Sequence, residues 1–174
     1  MKTRITVLTV ATLLMLGLTT ASAQHEEGQM NLNVGLGLGS NFITGTGSLP
    51  PVSAAFDYSI REDLSIGALF GIARSSHDLG LMKWSYSYTI LGVRGAYHKD
   101  VVDGLSTYAG AMLGYYLVRS KFEGTGNPLV TPSLNALAYA GFAGARYHFN
   151  ESMGVYGEVG YGIAFLTLGF TMQF

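Results

Sequence analysis

The sequence predicts an all-β, eight-stranded antiparallel up-and-down transmembrane β-barrel, on three observations. Long stretches alternate strictly between large apolar and small or polar residues, the period of a strand with two unlike faces. Charged residues make up only 12% of the chain, about half the usual share, while Gly accounts for 24 of 174 residues, roughly twice the usual frequency. After the N-terminal segment no uninterrupted apolar run reaches the roughly 18 residues that a spanning helix requires.

The N-terminal segment stands apart. Lys2 and Arg4 precede an apolar stretch from Ile5 to Leu18, and Ala21-Ser22-Ala23 supplies the small residues that a signal peptidase reads. Residues 1–23 are therefore expected to be a secretory signal peptide cut before Gln24, with residues 24–174 forming one barrel domain. The apolar stretch is too short for a transmembrane anchor. Without Lys2 and Arg4 the remainder is mildly acidic, which gives no footing for nucleic acid. An exported chain with no Cys has no disulfide to hold it, so its fold must rest on packing or on a closed hydrogen-bond network.

The strands follow in order. In the segment 30–39, Leu32, Val34, Leu36 and Leu38 alternate with Asn31, Asn33, Gly35 and Gly37. In 51–60, Val52, Ala54, Phe56, Tyr58 and Ile60 oppose Ser53, Ala55, Asp57 and Ser59. In 64–73, Leu64, Ile66, Ala68, Phe70 and Ile72 oppose Ser65, Gly67, Leu69, Gly71 and Ala73. Further strands are expected at 84–98, 104–119, 134–149, 154–162 and 165–174. In the strand 84–98, Tyr86 and Tyr88 share the face of Arg94 unless a bulge intervenes, and the sequence leaves that open. The odd-numbered apolar set from Val155 through Tyr161 and Ile163 gives way to an even-numbered set from Leu166 to Phe174, so a tight hairpin is expected near 162–165.

The polar face is too small and uncharged to be a solvated exterior. Reversed, the pattern fits a membrane: the large apolar set meets lipid, and Gly, Ser, Ala and Asn fill a narrow lumen. Closure then satisfies every backbone donor and acceptor, which an open sheet in hydrocarbon could not do. Connections at 61–63, 99–103 and 150–153 are short and charged, as periplasmic turns are. Those at 40–50, 74–83 and 120–133 are longer, rich in Gly, Ser, Thr and Pro, and are expected outside the cell, where they could meet an extracellular partner.

Parity places Asp57, Arg94, Arg146 and Glu158 toward the lumen, the only location where charge avoids a penalty of about 2–4 kcal/mol at mid-bilayer. They form either an ion-pair plug or the lining of a narrow pore. Eight strands leave an interior that side chains just fill, which favours the plug. No constellation for catalysis, cofactor or metal emerges. Ser75, Ser76, His77 and Asp78 are sequence neighbours expected in a solvated loop, and a triad is a matter of geometry rather than adjacency. His98 and His148 have no metal-ligand spacing and are read as interfacial side chains. "GLGLGS" opens no helix, so it is not a dinucleotide motif.

"GVRGAYHKD" at 92–100 echoes "GARYHFNES" at 144–152, and its Tyr97, Tyr147 and Phe149 are expected in an aromatic girdle at the periplasmic interface. The C-terminal "TLGFTMQF", with Thr167, Gly169, Met172 and Phe174, is similar to the sorting signal of outer-membrane barrels, although that signal favours Tyr or Phe where Met172 stands. With these features the mature chain resembles small outer-membrane barrels of the outer-membrane protein A, X and opacity type, and looks closest to such barrels of Bacteroidota-like bacteria. The resemblance implies the outer membrane of a Gram-negative bacterium, outer-membrane lipid as surroundings, and insertion by a barrel assembly machinery that recognises the last strand. A non-enzymatic envelope protein is the expected function. A narrow porin-like or hydrophobic-ligand conduit is the alternative, followed by a lipid-modifying enzyme.

Overall fold

The computed structural model describes residues 26–39, 49–78, 82–124 and 134–174; the expected signal peptide and the segment 40–48 lie outside them. Eight strands follow in chain order: β1 (Met30–Leu38), β2 (Leu49–Arg61), β3 (Leu64–Asp78), β4 (Met82–Val102), β5 (Leu105–Gly124), β6 (Leu134–His148), β7 (Met153–Gly160) and β8 (Leu166–Gln173). Each pairs with the next in antiparallel register, and β8 returns to β1, closing the barrel. The seam is complete to the last residue: Phe174 and Met30 exchange both backbone hydrogen bonds, at 2.9 and 3.1 Å.

Alternation decides which face lies inside. Leu36, Val93, Leu113, Val159 and Phe170 stand exposed on the outer wall, whereas Asn31, Asn33, Ser53, Ser59, Ser65 and Thr171 are buried within it. A chain that buries its polar set and exposes its apolar set is built for a lipid exterior. Tyr97 and Phe149 are exposed near the end that carries the chain termini, beside the tight turns at 62–63, 103–104 and 149–152. The barrel is thus a transmembrane one.

Strand lengths differ from the sequence expectation. A spanning strand needs about 9–11 residues, and β1, β7 and β8 have 9, 8 and 8. The strands β4 and β5 have 21 and 20, and β3 has 15. The expected loop 74–83 is therefore mostly strand, with Arg74 to Asp78 laddered against Lys83 to Ser87, and residues 120–124 of the expected loop 120–133 extend β5. A Ser-rich composition reads as loop, yet an antiparallel hairpin satisfies its own backbone whatever its side chains. The register of β4 runs without a bulge from Met82 to Asp100, so Tyr86 and Tyr88 do share the inward face of Arg94.

The hairpin between β7 and β8 holds five residues, 161–165. Tyr161 and Phe165 remain outside, but Ile163, expected on the lipid face, turns inward with Ala164 and is buried. The turn switches parity by folding its middle over the barrel mouth. Ile163 and Ile90 meet above Gly71, and with Ala73, Met112 and Ala138 they form an apolar layer that fills the lumen toward the end away from the termini.

Candidate functional site in the barrel lumen

Beneath the apolar layer lies a charged one, and strand register explains how it assembles. Asp57 on β2, Gly67 on β3 and Arg94 on β4 occupy one cross-strand row. An added Cβ at Gly67 would come within 2.6 Å of the Asp57 carboxylate and closer still to the Phe56 carbonyl. Only a bare backbone lets Arg94 reach across β3, bringing Nε to 3.1 Å from Asp57 Oδ1.

The same device recurs on the other side of the wall. Tyr108 on β5, Gly144 on β6 and Glu158 on β7 share a row, and the Tyr108 ring covers Gly144 so closely that a Cβ there would meet Cζ at 2.6 Å. Its hydroxyl donates to Glu158 Oε2 at 3.0 Å. At the closing seam Tyr156 on β7 lies over Gly169 on β8 and Gly35 on β1, aimed at Ser53 on β2. In each case a long side chain crosses a glycine to reach a polar group two or three strands away.

The two sides are then joined through the middle. Arg94 donates from Nη2 to Glu158 Oε2 at 2.8 Å while holding Asp57. Arg146 on β6 donates from Nη2 to Asp57 Oδ2, and Asn33 Nδ2 adds a hydrogen bond to the same oxygen at 3.2 Å. The Arg94 guanidinium carbon sits 3.9 Å from the Phe142 ring centre, and that of Arg146 sits 4.5 Å from the Tyr108 ring centre. Two carboxylates and two guanidiniums balance, each arginine backed by an aromatic face that lends its quadrupole to the cation.

Asp57, Arg94 and Arg146 are almost fully buried, while the Glu158 side chain retains 15% of its exposure because it borders a cavity of about 40 Å³ below Ile163 and Ala164. Space of that size holds one or a few waters and no larger solute. The four residues chosen by parity are thus brought together. Tyr108, Asn33, Phe142 and the row glycines were not identified from sequence as members of the cluster; parity would have flagged the two aromatic rings and Asn33.

The histidines differ from their expected place. His98 and His148 are not interfacial but face the lumen, 3% and 6% exposed, because each shares the even parity of Arg94 or Arg146 on its own strand. His98 Nε2 lies 2.7 Å from Ser65 Oγ, and its ring packs against Tyr108 at 5.6 Å. A Ser–His pair is the beginning of a nucleophilic dyad, but Ser65 is fully buried and no acyl group can approach it. Ser75 faces inward and is buried, so the stretch from Ser75 to Asp78 is strand rather than the expected solvated loop; the side chains of His77 and Asp78 lie outside the described residues. No group of metal-ligating side chains occurs among the described residues.

Of the C-terminal residues, Thr167 and Gly169 face the lumen, while Met172 and Phe174 face outward, Phe174 being among the most exposed large apolar residues.

Closed antiparallel wall, lipid-suited exterior and filled interior together define a small transmembrane β-barrel. Among solved structures the chain is similar to the N-terminal β-barrel domain of OprF from Pseudomonas aeruginosa, with 13% identity over 85% of this chain and 98% of that one and a TM-score of 0.56. It is also similar to Ail, the attachment invasion locus protein of Yersinia pestis (16% identity, 84% and 95% covered, TM-score 0.54), and to the outer membrane protein OprG of P. aeruginosa (11%, 86% and 97%, TM-score 0.54). Identities this low carry the fold alone. No protein-family model and no curated protein matches the sequence.

Proposed function

We propose that the protein is a non-enzymatic integral outer-membrane barrel whose lumen is plugged, and that it acts through its structure or its external surface rather than by conduction. The observation that carries this reading is the stacking of two seals of different chemistry: the Asp57, Arg94, Arg146 and Glu158 network, and above it the layer of Ile90, Met112, Ala138 and Ile163. An ion would have to displace buried charge pairs and then cross an apolar constriction that excludes water. The likeness to outer-membrane barrels supports the location. Thr167, Gly169, Met172 and Phe174 are proposed to serve also as the assembly address read by the barrel assembly machinery. External partners would meet the protein at the end away from the termini, toward which β1, β3 and β5 run.

Single-channel recording tests the plug. Folded full-length protein in planar bilayers should show no steady conductance; sustained openings in the wild type would favour the narrow conduit instead. Cell fractionation with an outer-membrane marker tests the location.

A further inference from the structure

On the outer wall, Arg74 of β3, Ser87 of β4 and Arg119 of β5 occupy a single cross-strand row. Both arginines are exposed. Neighbouring strands lie about 4.8 Å apart, so the two arginine backbones are separated by about 10 Å, a gap that two extended guanidinium side chains can close over a common anion. Ser87 lies between them with a hydroxyl on the same face.

The height of this row is set by what lies beneath. On β3 the outward residues below Arg74 are Leu64, Ile66, Ala68, Phe70 and Ile72, all apolar. From Leu64 to Arg74 the strand rises roughly 33 Å along itself, or about 25 Å along the barrel axis at a tilt near 40°, the height of one apolar band. On β5 Arg119 stands four residues beyond Tyr115, and Tyr115, Tyr139 and Tyr161 are all more than half exposed on the outside at this end, as an interfacial aromatic belt requires. The row thus sits at the headgroup level of the leaflet opposite the chain termini. Among residues whose side chains are described, Arg74 and Arg119 are the outward charges at that level, and both are positive.

We infer that Arg74, Ser87 and Arg119 form a binding site for a phosphate of a phosphorylated glycolipid in that leaflet. Guanidinium groups match phosphate by paired N–H donors and are the preferred partners at such sites. A headgroup held there keeps its acyl chains against Phe70, Leu91 and Tyr115, which lie below the row on the same three strands. The inference rests on the outer-membrane location proposed above.

The test uses the folded full chain reconstituted into phosphatidylcholine vesicles containing bis-phosphorylated or dephosphorylated lipid A, with retained lipid counted by native mass spectrometry after mild detergent release. Wild type should retain at least ten-fold more of the phosphorylated form. R74Q/R119Q should lose that preference, R74K/R119K should keep part of it, and R61Q, which removes one exposed arginine at the opposite end, should match wild type. Equal retention of the two lipids by wild type, or unchanged preference in R74Q/R119Q, would overturn the site. Complete displacement of the lipid by excess inorganic phosphate would assign the row to free anions and overturn the lipid. Failure of wild type to insert into vesicles would overturn the transmembrane reading itself, an outcome distinguishable from insertion without lipid preference.

Discussion

Arg146 and Asp57 project from strands on opposite sides of the barrel and meet in its middle, so one ion pair spans the lumen. Arg94 holds the other oxygen of the same carboxylate. Asp57 is therefore the shared anion of two buried cations, whereas Glu158 serves Arg94 and the Tyr108 hydroxyl at the edge of a small cavity.

That difference orders two substitutions. Removing one partner of a buried pair costs about 3–5 kcal/mol because the remaining charge is stranded. Asp57→Ala strands two guanidiniums and is expected to reach the top of that range. Glu158→Ala should destabilise less, because water in the adjoining cavity can solvate Arg94. Urea unfolding of the reconstituted barrel, followed by heat-modifiable gel migration, measures both; equal midpoints for Asp57→Ala and wild type would refute the plug as a stabilising element.

The row glycines give a steric prediction. Gly67→Ala and Gly169→Ala each force a methyl group to within 2.6 Å or less of a carboxylate oxygen or backbone atom, and overpacking of this kind costs about 1–3 kcal/mol or more. Gly141 and Gly95, by contrast, have room for a methyl group, with no heavy atom nearer than 3.8 Å to an added Cβ. Gly141→Ala and Gly95→Ala should fold in wild-type yield. A uniform response across all four would show that the glycines matter for some reason other than the side chains laid over them.

How much of this was legible before the structure follows from what period two can carry. It places Asp57, Arg94, Arg146 and Glu158 on one face, because parity along each strand needs no knowledge of its neighbours. It would have placed His98 and His148 there too, but the nearness of the turns suggested an interface. The glycine rows were not legible, since Gly67 lies between Asp57 and Arg94 only once the registers of β2, β3 and β4 are known. The extension of β3 through Ser75, Ser76, His77 and Asp78 escaped because a run of polar residues carries no apolar–polar alternation, even though Ser75 is buried on the inward face. Ile163 escaped because parity fails inside a turn.

The apolar seal should respond separately from the charged one. Ile90→Ser with Ile163→Ser introduces hydroxyls into the layer above the network and is expected to admit water there, giving brief openings in planar bilayers while the buried ion pairs remain. Arg94→Ala alone should leave the barrel closed because the isoleucines still exclude water. Conductance from Arg94→Ala and none from the double isoleucine variant would reverse the assignment of the two layers.

The final strand separates address from wall. Phe174 and Phe170 are 72% and 63% exposed, so replacing either ring with Ala removes similar apolar contact with lipid. Phe174→Ala preserves the paired backbone bonds with Met30, and deletion of Phe174 removes them as well. If the last residue is read during assembly, Phe174→Ala should lower the yield of folded barrel in outer-membrane fractions far more than Phe170→Ala, with deletion lower still. Equal yields from all variants would leave Phe174 as a wall residue only.

The residues that shut the top of the lumen, Ile163 and Ala164, belong to the hairpin that also delivers β8 to β1. A sheet lacking that hairpin would be a trough, open along one side and at its mouth, with its charged floor in reach of water. Joining of the last strand to the first and covering of the ions from above thus depend on the same five residues. A change that displaces Ile163 or Ala164 bears on both the seam and the dryness of the interior.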